Sequence, residues 1–230
     1  MKYLGVLIDE HLKWNCHTAY LSKKISRGIG ILAKLRNYME LDLLKNVYYC
    51  LVFSHLSYGI HAWGSAYASH TNKFIILQKK AVRIMTGNRY FQIYGESAGP
   101  LPSSDPLFKQ LEILKFGDIF KINLCKFVYE TLYGYSPIVF ADWFIYVHSV
   151  HLHSTRLSTT VNTENYFDVG TVKTSKSLAT KKSKLVNYGA KMIQVSGPLL
   201  WNALPENIQE SSSISTFKQA IKEHLIGNYG

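Results

Sequence analysis

Two-metal nucleotidyl transfer requires carboxylates that converge on the metal ions, and this sequence does not supply a convincing set. It has no D-x-D pattern and no pair of aspartates after an aromatic residue. Its only adjacent acids, Asp9 and Glu10, fall where we expect a solvent-facing turn. The GxxxxGK[ST] phosphate loop, the G-x-S-x-G elbow and the H-E-x-x-H zinc helix are also missing. We therefore expect no catalytic residue and no polymerase or nuclease activity in the chain as it stands.

The histidines His148, His151 and His153 are the one group whose spacing could bind a metal. A zinc site needs four ligands, or three and a water, and the preceding carboxylate, Asp142, is separated from them by an aromatic stretch. We interpret these histidines as polar interface contacts and expect no metal and no cofactor. The cysteines are odd in number and far apart, so we expect free thiols in the core rather than disulfides or zinc ligands. They are Cys16, Cys50 and Cys125.

The composition favours a polyanionic partner. The 230 residues include 26 Lys and Arg against 15 Asp and Glu, a formal charge of +11, and 47% hydrophobic residues suffice for a packed core. The longest apolar run, Val47–Phe53, is far shorter than the roughly 20 residues of a membrane span. The apolar run that follows Met1 ends at Asp9, too early for a secretory signal. These features predict an intracellular protein that binds nucleic acid and no membrane.

The basic residues concentrate on helix faces. A helix over His17–Tyr38 places its apolar residues on one arc, and another, capped by Thr71-Asn72 and ended by Gly87, presents Lys73 outward beside further cations. A third basic window lies between Asp168 and Glu206. We expect the faces of these two helices to line one groove, and the basic faces predict phosphate contacts, with a merely solvated surface as the alternative. The candidate nucleic-acid-binding residues are Lys23, Lys24, Arg27, Lys34, Lys79, Lys80, Arg83, Lys181, Lys182 and Lys184.

The amino-terminal part reads as a short extended segment followed by helices. The pattern predicts a buried strand or half hairpin over Tyr3–Ile8, and a second helix over Leu41–Leu56 that ends at Tyr58-Gly59. The apolar arc of the first helix comprises Leu21, Ile25, Gly28, Ile29, Leu32, Leu35 and Met39, and that of the third comprises Phe74, Leu77, Ala81, Ile84 and Met85.

The rest of the chain predicts a mainly α fold that ends in a small α+β region. Asp105-Pro106 should cap helices over Leu107–Tyr133, broken near Phe116-Gly117, before strand-like pieces at Tyr166–Val169 and Met192–Val195. A last short helix carries Phe217, Ile221 and Leu225. The predicted domains are a strand and thumb-like bundle over 1–95, a connector over 96–104, a helical segment over 105–137 and an α+β region over 138–230.

Three stretches resemble the reverse transcriptases of non-LTR, LINE-type retrotransposons of the jockey kind, just after the catalytic palm. They are Lys2–Arg36, which contains Tyr3-Leu4-Gly5; Ser57–Gly64 with Leu77–Arg83; and Gly197–Pro205 with the helix around Phe217-Lys218. We interpret Gly197–Pro205 as a packing motif.

The resemblance implies a thumb and post-thumb region of an RNA-directed DNA polymerase. It places Tyr3, Leu4 and Gly5 near a primer grip, and the helices after them around a template–primer duplex of RNA, DNA or both. The palm aspartates of the family would precede this sequence. The chain is then a non-catalytic fragment, from a truncated gene model or a degenerate copy, that clamps duplex together with the rest of the polymerase. The alternatives are a helical interaction protein and a non-functional relic.

Overall fold

The computed structural model describes residues 1–87, 103–147, 166–167, 177–181 and 192–229, with the backbone alone at 166, 167 and 181. The chain is mainly helical, with a small antiparallel sheet at its amino terminus, as predicted. Contacts divide it into two compact units, Met1–Phe120 with Glu223–Gly230, and Lys121–Lys222. The predicted connector over 96–104 lies mostly outside the described residues, so the domain limits stay a prediction. Within the described ranges, no helix combines the length and apolarity needed to cross a membrane.

The chain begins with a tight hairpin rather than one buried strand. Strands β1 (Lys2–Tyr3) and β2 (Val6–Leu7) pair antiparallel. Leu4 and Gly5 form the turn with φ values of 43° and 83°. Positive φ at both central residues is the geometry that suits the twist of a two-residue hairpin, and glycine adopts it without strain. Of the two predicted forms, the half hairpin is therefore closer than the buried strand, because the Leu4-Gly5 turn divides the segment and Tyr3 and Leu4 are exposed.

Helix α1 (Asn15–Leu35) packs through most of the arc that the sequence predicts, but Met39, the last predicted member, lies beyond the end of the helix and is exposed. The helix lies against the segment formed by α2 (Leu41–Tyr48), a π-helical turn (Tyr49–Phe53) and α3 (Ser54–Ser57). A Cβ atom on Gly28 would lie 2.9 Å from the carbonyl oxygen of Leu51, so glycine permits this close approach. The second helix is thus present where predicted, with a π-helical turn that the sequence did not indicate. The buried residues of α1 are His17, Thr18, Leu21, Ile25, Gly28, Ile29 and Leu32.

The helical turn α4 (Ile60–Trp63) leads to α5 (Ala68–Thr86). The predicted stops are confirmed, since Gly59 and Gly87 have φ values of 61° and 54°. The predicted cap at Thr71-Asn72 was wrong. The amide of Thr71 already donates to the carbonyl oxygen of Tyr67, so the helix begins about one turn earlier and buries Thr71.

Helices α6 (Asp105–Gln110) and α7 (Phe116–Leu132) are separated by a short irregular segment. Asp105 is the first helical residue and not the cap, which is Ser104. The predicted break falls immediately before Phe116 instead of at Phe116-Gly117. The carboxy-terminal tail packs here, in the first unit: Tyr229 donates its hydroxyl to Asp118 Oδ2 at 2.7 Å and accepts the Lys115 amide at 2.9 Å.

The second unit is held by aromatic rings. Beyond α7 it contains a 3-10 helix (Ile138–Trp143), β3 (Tyr166–Phe167), β4 (Thr180–Lys181), α8 (Ile193–Asn202), α9 (Glu206–Gln209) and α10 (Ile214–Gly227), which ends in the first unit. Trp201 stacks on Phe217 at 5.8 Å between ring centroids, and Phe217 stacks on Tyr129 at 4.7 Å. A Cβ on Gly197 would lie 3.0 Å from the Phe144 ring. Gly197–Pro205 is therefore a packing motif, as predicted.

Two further expectations need correction. Met192–Val195 is not a strand: Met192 precedes α8, and Ile193 and Val195 are helical, because β propensity is weak where packing of the same segment favours a helix. The cysteines are not all core residues. Cys125 is buried, whereas Cys16 and Cys50 are exposed, because they lie off the apolar faces of their helices.

Candidate nucleic-acid interface

Trp63 is the centre of the first unit. It is fully buried, stacks on Phe116 at 5.7 Å, and meets Phe74 and His17 edge to face at 5.5 and 5.4 Å. Its indole N–H donates to the carbonyl oxygen of Tyr58 at 2.9 Å. The tryptophan therefore fixes the segment that follows the π-helical turn, and this segment carries the amino-terminal hairpin.

The hairpin is tied to that segment by hydrogen bonds. Tyr58 donates its hydroxyl to the carbonyl oxygen of Leu4 at 2.6 Å, and the Leu7 amide donates to Nδ1 of His17 at 3.2 Å. Val6 packs on Gly59, where a Cβ would approach Val6 Cγ2 to 3.3 Å. Two stretches that carry the family resemblance, Lys2–Arg36 and Ser57–Gly64, thus meet in space.

This contact leaves apolar side chains at the hairpin tip exposed. Tyr3 is 59% exposed and Leu4 72% exposed, and the adjacent Tyr58 is 57% exposed. Such residues are available to a partner, while the backbone that carries them is fixed from below by Trp63. Tyr3 and Leu4, together with Gly5, are the residues that the resemblance assigned to a primer grip.

Gln78 is a core residue that was not predicted from the sequence. Its side-chain nitrogen donates to the Tyr48 hydroxyl at 2.9 Å and to the Leu114 carbonyl at 3.1 Å, and its oxygen accepts the Phe116 amide at 2.7 Å. Burial raises the pKa of the Tyr48 hydroxyl well above its usual value. This buried amide therefore links α2, α5 and the start of α7 through its three hydrogen bonds. Its position opposite the basic face of α5 was the available signal.

The basic face of α5 lines an open cavity of about 540 Å³. Ile76 and Ile84 supply apolar surface between the cations, and Ile76 is 67% exposed. The helix is held from its other side by Phe74 and Gln78, so its cations stand on a rigid support. The cations that line the cavity are Arg36, Lys79, Lys80 and Arg83.

Arg36 was not among the predicted binding residues. It lies at the carboxy-terminal cap of α1, in register with Ile25, Ile29 and Leu32 on the side of that helix which packs inward. A basic residue that follows an apolar arc on the same helix side indicates a cation near the neighbouring helix, and this pattern could have identified Arg36. The structure thus brings Lys79, Lys80 and Arg83 together with Arg36.

The cations of α1 are arranged differently. Lys23, Arg27 and Lys34 are exposed along the face opposite the packed arc, and they do not line the α5 cavity. Lys24 is half-buried, with its ammonium 4.8 Å from the centre of the Tyr20 ring, and it lowers the pKa of the Tyr20 hydroxyl. Tyr20 is therefore the aromatic residue most closely associated with this basic face.

The remaining candidates lie at or beyond the limits of the described residues. Lys182, Lys184 and the histidines His148, His151 and His153 lie outside them, and Lys181 is described by its backbone only, in β4.

Asp9 has a structural role. Its carboxylate accepts the backbone amides of Lys13 and Trp14 and so fixes the turn that precedes α1. In the described part of the chain, no three His, Cys, Asp or Glu side chains are grouped so that they could hold a metal ion.

Comparison with known proteins relates part of the sequence to retrotransposon polymerases. The RNA-directed DNA polymerase from mobile element jockey of Drosophila funebris is 33% identical over 93 residues, and that of Drosophila melanogaster is 32% identical over 94 residues. The probable RNA-directed DNA polymerase from transposon X-element of Drosophila melanogaster is 30% identical over 94 residues.

Each match covers 39% of this chain and 10% of the relative, so the chain spans about a tenth of these proteins. No family model and no solved structure matches. A region of this chain is thus related in sequence to the RNA-directed DNA polymerases of non-LTR retrotransposons.

Proposed function

We propose that the chain is a non-catalytic nucleic-acid-binding fragment of a retrotransposon reverse transcriptase, a thumb-like region that clamps template–primer duplex together with the rest of the polymerase. The observation that carries the proposal is the α5 cavity, which is lined by Arg36, Lys79, Lys80 and Arg83 together with Ile76 and Ile84. Cations on a rigid helix neutralise phosphates and release counterions, which accounts for most of the affinity of sequence-independent binding.

The hairpin supports the same proposal. Its exposed tip, Tyr3 and Leu4, is held by Tyr58 and His17 on the body that also carries α1 and α5. A strand end gripped by such a tip would lie near a duplex bound by the basic faces, including Lys23, Lys24, Arg27 and Lys34 of α1. Lys181, Lys182 and Lys184 are the next candidates should the α5 face prove uninvolved.

The test is the salt dependence of binding to an RNA–DNA duplex. For the parent chain, we expect log K to fall with log salt at a slope of about −0.9 for each phosphate neutralised, with about four to six phosphates involved. Replacing Lys79, Lys80 and Arg83 together by Ala should weaken binding to every sequence alike and flatten the slope by about one for each lost contact.

The control variant replaces Lys13, Lys109 and Lys218, three exposed lysines outside the cavity, by Ala. It removes the same charge and should leave the slope close to that of the parent. Equal binding by the α5 variant and the parent at low salt would refute the proposal for this face.

Primer extension on an RNA template with Mg²⁺ or Mn²⁺ should give no product, and extension that survives Asp9→Ala with Glu10→Ala would show that the chain carries a catalytic site of its own.

A further inference from the structure

A second cavity adjoins the first. It has a volume of about 330 Å³ and shares Arg36 and Ile84 with the α5 cavity, so a ligand could extend from one into the other. Its other lining residues come from the α1–α2 connection, the start of α2 and the end of α5. They are Asn37, Met39, Glu40, Leu41, Leu44, Met85, Thr86 and Gly87.

The two cavities differ in electrostatic character. The first is rimmed by cations, whereas the second is lined by the acidic residue Glu40 and by the carboxy-terminal ends of α1 and α5, which end at Leu35 and Thr86. A helix carboxy terminus carries partial negative charge and favours hydrogen-bond donors over anions. The start of α2 also reaches this cavity, but Glu40 and Asp42 flank it with two acids. A phosphate therefore belongs in the first cavity, and a group with N–H donors belongs in the second.

A nucleotide has this distribution of groups. Its phosphate is anionic, and its base is a flat ring whose edge carries hydrogen-bond acceptors and, in cytosine, adenine and guanine, an amino donor. The lining of the second cavity combines the apolar residues Met39, Leu44 and Met85 with the polar residues Asn37 and Glu40. An acidic peptide would fit the first cavity but would be repelled by Glu40 in the second.

We propose that the two cavities together bind one unpaired nucleotide at the end of a polynucleotide strand. Its phosphate lies among Lys79, Lys80 and Arg83, its base lies in the second cavity, and Arg36 lies between the two. This inference rests on the proposed function, because it specifies what the α5 face holds beyond the duplex.

The polar groups predict which base is preferred. A carboxylate such as Glu40 accepts from an exocyclic amino group, and carboxylate acceptance from the cytosine N4 amine is an established recognition pattern. Arg36 donates to Asn37 Oδ1 at 3.3 Å, which orients the Asn37 NH₂ group as a donor to a base acceptor. Cytosine offers both partners, an amine that can donate to Glu40 and a ring acceptor for the Asn37 NH₂ group. Uracil is the same size but presents O4, an acceptor, where cytosine has its amine.

The experiment compares one RNA–DNA duplex in three forms: blunt, with one unpaired 3′ cytidine, and with one unpaired 3′ uridine. With the parent chain, the cytidine form should bind about three- to tenfold more tightly than the blunt form, the equivalent of about one net hydrogen bond. The uridine form should gain less. Glu40→Ala should abolish the difference between cytidine and uridine, and its side chain caps no helix, so the fold should persist. Glu10→Ala, a control that removes an exposed carboxylate elsewhere, should preserve the difference.

Equal binding of the blunt and overhanging forms by the parent would overturn the inference, and blunt-duplex binding would still support the proposed function. A cytidine preference that survives Glu40→Ala would overturn it as well. If no duplex binds, the proposed function fails, and the inference is then tested by titrating the parent with CMP and with UMP. Chemical-shift changes at the Met39 methyl group with CMP but not with UMP would support it, and equal or absent changes would refute it.

Discussion

The two units each enclose one fully buried tryptophan, and the neighbours of these tryptophans differ. Trp63 donates a hydrogen bond to the Tyr58 backbone and contacts the His17 ring, and the side chains of Tyr58 and His17 in turn hold the surface hairpin. Trp201 lies in a stack with Phe217 and Tyr129, whose described contacts are internal to the second unit. The first core therefore supports an exposed surface. In the described residues, the contacts of the second core stabilise mainly the second unit itself.

The largest expected effect comes from removing either tryptophan. We expect Trp63→Ala and Trp201→Ala each to lower the free energy of unfolding by about 3–5 kcal/mol, because each leaves a large cavity. Only Trp63→Ala should also weaken duplex binding below its melting range, since it removes the support of the hairpin. Urea unfolding followed by circular dichroism gives the stability, and duplex titration gives the binding. Loss of binding in Trp201→Ala with unchanged helix content would contradict the assignment of separate roles.

Two amide side chains that bridge backbone groups, Gln78 in the first unit and Asn202 in the second, should differ in their contribution to stability. Gln78→Ala leaves the Leu114 carbonyl and the Phe116 amide without their partner inside the core, and we expect a cost of about 2–4 kcal/mol. Asn202 makes a similar pair of bonds with the Leu178 amide and carbonyl, at 2.8 and 2.9 Å, but is only half-buried. Asn202→Ala should therefore cost about 1–2 kcal/mol, because water can replace part of what is lost. Urea unfolding ranks the two variants, and the reverse order would show that the first core tolerates a missing amide better than its burial implies.

A third comparison uses two glycines of the same helix. An added methyl group at Gly28 would meet the Leu51 carbonyl oxygen, whereas at Gly30 nothing lies within 4 Å. We expect Gly28→Ala to destabilise the first unit by about 1–3 kcal/mol through overpacking, and Gly30→Ala to stabilise it by about 0.5–1 kcal/mol through helix propensity. Thermal unfolding of both variants measures the difference. A stabilising Gly28→Ala would mean that α1 separates easily from the π-helical turn.

The helices and their apolar faces could be predicted from the sequence, because burial follows helical periodicity closely. Leu21, Ile25, Ile29 and Leu32 are buried as expected. The features that escaped prediction depend on contacts between distant residues. The π-helical turn at Tyr49–Phe53 has no periodic signature of its own.

The candidate site shows the same limit. The cations of α5 could be identified by counting charges along a helix, but their companion Arg36 comes from the end of another helix, and the pairing depends on how α1 and α5 pack. Gln78 was not predicted to be buried, because a polar residue that directly precedes Lys79 and Lys80 in the sequence suggests a surface position. The hairpin turn was hidden because Leu4 is an unusual residue for positive φ.

The smallest expected effect is a pH dependence from His17. Its Nδ1 accepts the Leu7 amide and therefore carries no proton in the fold, and burial lowers the pKa of the imidazole below its usual value of 6.5. As the pH falls below about 6.5, the unfolded chain takes up the proton first, so the free energy of unfolding decreases until the folded imidazole is protonated as well. Above that pH both states are neutral, and the contribution is fully retained.

The check is the difference in unfolding free energy between the parent and His17→Gln, measured from pH 8 to pH 5. Gln can accept the Leu7 amide without titrating, and other groups, including His55, are common to both proteins and cancel. This difference should be constant above about pH 7. As the pH falls below 6.5, the parent should become less stable relative to the variant. Loosening of the hairpin should accompany this change, seen as faster hydrogen exchange at the Leu7 amide in the parent than in the variant at pH 5. A difference that stays constant, or that moves in favour of the parent in acid, would show that His17 does not hold the hairpin through a neutral imidazole, and the support of the exposed tip would then rest on Tyr58 alone.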